Sequence, residues 1–147
     1  MKNLILLLLV FTACTDMKTA APVPVADPDD ISMVDKPGAF NPAMKKLLLK
    51  GNFTNGGHPT SGVASVYEDD MGVKTLVFEN FKTDAGPDLR IYMATDKRAS
   101  GFIEISKKVE NGNWAYTLPA EWDMSKQNQV LIWCRAFSVL FGSAELK

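Results

Sequence analysis

The chain has 147 residues, with 46% hydrophobic and 22% charged residues, within the ordinary range for a globular protein. Sixteen basic and 17 acidic residues leave a net charge near −1, and no Lys/Arg run or basic patch is present, which argues against nucleic acid as a partner. One histidine and two cysteines exclude a four-cysteine cluster, a cysteine-rich zinc site and a blue-copper site built within one chain from two histidines and a cysteine.

The chain opens as an export signal. Lys2 supplies a short positive region, and Leu4–Phe11 is an unbroken apolar run of eight residues. That run is too short for a spanning helix of ~20 residues and suits the apolar core of a signal peptide. Thr12-Ala13-Cys14 follows directly, and small residues before a cysteine resemble a bacterial lipobox. Residues 1–13 are therefore expected to be removed. Cys14 is expected to be lipidated and to anchor the protein in the bacterial cell envelope, at the outer membrane or the periplasmic face. The alternative is an ordinary secretory signal cleaved nearby.

Residues 14–42 read as the lipidated N-terminus followed by a tether. Pro22, Pro24 and Pro28 with Asp27, Asp29 and Asp30 interrupt Ala- and Val-rich sequence that has neither helical nor strand period. About 25 residues at ~3.1 Å each would reach ~75 Å if fully extended, enough to hold a domain clear of a membrane. Residues 43–147 are then a single folded unit of ordinary domain size.

Within that unit, strand follows strand. Lys46–Phe53 leads to the turn Asn55-Gly56-Gly57. Ser61–Glu68 alternates with period two, Asp69-Asp70-Met71-Gly72 is a hairpin signal, and Val73–Phe81 returns. Asp84–Asp88 turns into Leu89–Ala94. Phe102–Ile105 and Trp114–Leu118 are short strands separated by the turn Glu110–Asn113. Asp123–Gln127 allows one helical turn, and Gln129–Ala136 and Phe137–Leu146 are the last strands. Turns every 8–12 residues and the lack of a long helical period predict an all-β, antiparallel sandwich or barrel.

A set of residues along this unit resembles a known family. Gly51-Asn52-Phe53 is followed by His58-Pro59-Thr60-Ser61-Gly62, then Asn80-Phe81, then Gly86-Pro87-Asp88-Leu89 at the head of a strand. Tyr116, Leu118-Pro119, Ile132-Trp133-Cys134 and Phe141-Gly142-Ser143-Ala144 complete it. The order and spacing, over about residues 48–146, resemble the DM-thirteen domain, which occurs alone in bacterial envelope proteins and beside DOMON domains in animal proteins. The resemblance implies a β-rich extracytoplasmic domain with a proposed electron-transfer or redox role, in which the cysteine acts as a thiol or as a ligand to a group such as haem. It implies a redox or envelope protein as partner and does not imply a stand-alone enzyme. One departure is local: where the family often reads G-x-Q-x-Y, this chain has Gly112-Asn113-Trp114-Ala115-Tyr116.

The residues themselves leave the role of Cys134 open. On a strand, Val130, Ile132, Cys134 and Ala136 share one face, and Leu131, Trp133 and Arg135 share the other. That apolar company suits an inert buried thiol. The alternative, from the resemblance, is a redox thiol or ligand. His58 is a loop histidine that either packs against its turn or serves as a ligand or partner of Cys134. Asp88 either bonds nearby backbone N–H groups or is a carboxylate of the site. C-x-x-C-H is absent, so haem is not attached covalently. Noncovalent haem on Cys134, His58 or Met93 stays open, as does the absence of any cofactor.

Overall fold

The computed structural model describes the backbone of Val34–Asp35 and residues 40–147. The signal segment, Cys14 and the rest of the tether lie outside the described residues. Nine strands are formed: β1 Val34–Asp35, β2 Lys46–Asn55, β3 Thr60–Glu68, β4 Lys74–Thr83, β5 Leu89–Ala94, β6 Ile103–Ser106, β7 Gly112–Thr117, β8 Gln129–Cys134 and β9 Val139–Glu145. No helix occurs among the described residues. Asp123–Gln127 makes only a single turn, in which the amides of Lys126 and Gln127 donate to the Asp123 carbonyl.

All the strands pair antiparallel in one sheet, in the order β1-β7-β4-β3-β2-β9-β8-β5-β6. The sheet curls into a nearly closed barrel because β2 serves two partners. Its first part pairs with β3 from Lys46 to Asn52, and its last residues, Phe53 to Asn55, pair with β9. The edges are β1 and β6. The β6–β7 connection crosses between the two halves of the sheet. Part of the segment read as tether thus takes part in the sheet: Val34 and Asp35 lie opposite Tyr116 and Ala115 of β7.

Period-two patterning sets the inside of the barrel. Ala64 and Val66, Leu76 and Phe78, Leu89, Ile91 and Met93, Val130, Ile132 and Cys134 all enter one buried cluster. Aromatic rings fill its middle, with Phe53 edge-on to Phe78 at 5.0 Å and Phe78 edge-on to Tyr116 at 5.4 Å. A smaller cluster on the outer face joins Tyr92, Ala94 and Leu131 to Trp133, Leu140 and Ala99.

Local chemistry explains the hairpins. At the β3–β4 turn, Asp69 Oδ1 accepts from the amides of Met71 and Val73, and Gly72 takes φ of +79°. The β8–β9 turn differs from its sequence reading. The strands stop at Cys134 and resume at Val139, and Arg135–Ser138 form an exposed turn in which Ser138 adopts φ of +52°. Ala136 therefore does not extend the inner face beside Cys134. The turn carries no glycine, proline or asparagine. The Ser138 amide donates back to the Arg135 carbonyl, and the Arg135 amide donates to the Asp88 carbonyl at the head of β5, a contact between segments distant in sequence.

Candidate functional site

From β2 onward successive strands run in alternating directions, so alternate loops gather at each end of the barrel. One end collects the β2–β3 loop with His58, the β4–β5 loop with Asp84 and Asp88, the β6–β7 loop, and the β8–β9 turn just after Cys134. The three sequence-predicted site residues, His58, Asp88 and Cys134, thus come to the same end from different parts of the chain. Met93 does not. It is fully buried near the far end of β5, opposite Val130.

Cys134 is a free thiol with no exposed surface. It closes β8, lies opposite Leu89 of β5 and Val139 of β9, and belongs to the apolar core. Trp133 points to the other face, as strand alternation requires, and packs in the outer cluster.

Asp88 is not a plain turn aspartate. Its Oδ1 accepts from Arg90 Nε at 2.6 Å, and its Oδ2 accepts from Arg135 Nε at 2.8 Å. Its carbonyl accepts from the Arg135 amide at 2.9 Å. Arg90 also reaches Glu104 Oε1 at 3.2 Å. The hydrogen bond from Arg90, with that from Arg135, holds the Asp88 carboxyl below the usual aspartate range, so it stays ionised and keeps both guanidinium groups. Asp88 thereby ties the head of β5 to the β8–β9 turn one residue beyond Cys134.

His58 stacks on Phe141, with ring centroids 3.8 Å apart and planes 19° from parallel. Its Nδ1 lies 3.0 Å from Asp84 Oδ2, and its amide donates to the Phe141 carbonyl. The ring is held from two sides while about two-fifths of its side chain stays in solvent. Phe141 belongs to the same core cluster as Cys134, so His58 stacks on the rim of that cluster.

Between the β4–β5 and β6–β7 loops lies a pocket of about 390 Å³. Asp84, Gly86, Asp88 and Leu89 form one side, and Lys107 to Asn111 the other. Leu89 belongs both to this pocket and to the buried core, whereas Cys134 does not line the pocket. Sequence reading missed Asp84, Arg135 and the β6–β7 loop as parts of this end. Only Phe141 carried a signal, through its place in the family motif.

The thiol and this pocket do not fit a haem: Cys134 has no free surface from which to ligate iron, and the pocket is lined largely by charged and polar residues. Among the described residues, no group of three or more His, Cys, Asp or Glu side chains is placed to hold a metal ion.

The fold and this end of it define a small all-β domain that encloses one thiol beneath a ring of loop residues. Residues 52–146 match the family described as Electron transfer DM13, and the chain belongs to that family. No curated protein and no solved structure matches the chain significantly.

Proposed function

We propose that the chain is an extracytoplasmic, lipid-anchored electron-transfer domain whose redox group is Cys134. Membership of an electron-transfer family supports the first part. The observation that carries the second is convergence: the motif segments around His58, Gly86–Leu89, Cys134 and Phe141 meet at one end of the barrel, and Leu89 lies directly opposite the thiol. Apart from the lipidation cysteine, Cys134 is the only thiol in the chain. It has no partner for an internal disulfide, so its chemistry is with a second molecule.

The simplest such chemistry is exchange with a partner disulfide. The Cys134 thiolate attacks one sulfur, a new S–S bond forms, and the old one breaks. The second sulfur leaves with the bonding electron pair and takes up the proton that Cys134 released. Incubating the folded protein with oxidised glutathione should give one mixed disulfide at Cys134, read by intact mass, and none in Cys134→Ala. An adduct that forms only after denaturation would favour the second reading, a non-catalytic envelope binding or scaffold domain with Cys134 as core. The complete burial of the thiol speaks for that alternative.

The anchor is tested separately. Cys14→Ser is expected to move the protein from the membrane to the soluble fraction or to leave an unprocessed precursor. Finding an unmodified mature N-terminus by mass spectrometry would remove the lipid anchor from this reading.

A further inference from the structure

A thiol without exposed surface reacts only if something opens, and one neighbour of Cys134 also lines a pocket. Leu89 and Cys134 are cross-strand partners whose side chains both point inward. Such partners stand with Cβ atoms about 5 Å apart. Leu89 also forms part of the wall of the 390 Å³ pocket and is 8% exposed. One leucine side chain therefore belongs to the pocket on one side and to the core around the thiol on the other. The neighbouring residue, Asp88, also lines the pocket, and its three bonds to Arg90 and Arg135 hold the strand ends on either side of the thiol together.

We propose that this pocket is the access route to Cys134, with Leu89 as its gate and the Asp88–Arg135 contact as the latch that keeps the gate shut. Gly86 makes the closed gate tight: a Cβ there would press against the Leu89 side chain at 2.8 Å and the tip of Phe141 at 2.9 Å. Arg135 is largely in solvent, and an exposed ion pair contributes little to global stability. The latch therefore sets local opening rather than folding. The group that enters is a slender one, a partner's cysteine side chain or a small sulfur compound. Mixed charge around the mouth, with Asp84 and Asp88 on one side and Lys107, Lys108 and Glu110 on the other, selects no single sign of charge.

The inference rests on the reading of Cys134 as a reacting thiol, but its test does not use redox activity. Iodoacetamide alkylates the thiolate with loss of iodide, and its rate on the native protein reports opening. Arg135→Gln should speed alkylation about tenfold or more while the midpoint of urea denaturation changes little; Asp88→Asn should speed it at least as much, with some loss of stability because it also weakens the hold on the buried Arg90. The double variant should be no faster than the faster single one, because both remove the same contact. Leu89→Ala should also speed it, far more than Leu76→Ala, which truncates an equally apolar side chain in the other half of the barrel. If Leu76→Ala accelerates alkylation as much as Leu89→Ala at equal stability loss, the thiol is reached by global unfolding and the gate does not exist. Unchanged rates in the well-folded Arg135→Gln variant would likewise overturn the latch. If the gate behaves as stated while Cys134→Ala retains electron transfer, the redox reading of the thiol falls and the access route stands.

Discussion

Gly142→Ala is expected to destabilise the domain by about 2–3 kcal/mol, with a matching fall in the urea midpoint. Gly142 lies in β9 opposite Ile132, at a backbone conformation any residue could adopt, so the reason is space. A Cβ at this position would overlap the Thr60 side chain at its Cβ, Oγ1 and Cγ2 atoms. Thr60 cannot rotate away cheaply. It is 4% exposed, its Oγ1 lies within hydrogen-bond distance of the Phe141 and His58 carbonyls and of Thr83 Oγ1, and its amide donates to Asn55 Oδ1. Turning the hydroxyl would strand buried polar groups. The same substitution at Gly72 is a useful contrast. Nothing lies within 4 Å of a Cβ there, so only the positive φ of +79° is strained and the cost should be about 1 kcal/mol. Equal losses at the two positions would show that the packing of Thr60 against β9 is not what requires Gly142.

Cys134→Ser should cost more stability than Cys134→Ala. Serine would place a hydroxyl in a fully buried, apolar position among the Leu89, Ile132 and Phe141 side chains, a penalty of about 1–3 kcal/mol if no acceptor is in reach. Alanine leaves a small void and adds no polar group, so its loss should be the smaller one. Chemical denaturation of both variants reads the order directly. Function separates the readings of the site. A redox thiol predicts that both variants stay folded and lose exchange with a disulfide, whereas a core residue predicts that any loss of function follows stability, with alanine the milder change. A serine variant as stable as the parent would mean that a polar partner waits beside the thiol, which the apolar packing around it does not suggest.

Alternation and turn chemistry made most of the barrel legible. Ser61–Glu68 alternates, Val73–Phe81 reads as its apolar return strand, and Asp69 with Gly72 fixes the hairpin between them, because an aspartate side chain and a glycine act within four residues and need no help from afar. The opposed directions of Trp133 and Cys134 also followed from strand geometry alone. The β8–β9 turn was not legible. Arg135-Ala136-Phe137-Ser138 has no glycine, proline or asparagine to mark a turn, and its first residue is bonded to Asp88, nearly fifty residues earlier in the chain. The edge strand Val34–Asp35 escaped for a related reason: two residues carry no period, and their ladder depends on the free edge of β7.

The family signature named His58, Asp88 and Cys134 without saying how they relate. By itself the sequence determined the all-β class, the run of strands along the chain, the opposed faces of Cys134 and Trp133 and the presence of a lone thiol in the domain, because those properties are set by side-chain period and residue type over short spans. Only the tertiary structure decided that the thiol is sealed, that Asp88 bonds two arginines rather than its own turn, that His58 is engaged by Asp84 and Phe141, and that Leu89, the cross-strand partner of Cys134, also lines the pocket. Each of those facts is a contact between loops gathered at one end of the barrel. Sheet closure brings such contacts into being, and no local pattern in the chain encodes them.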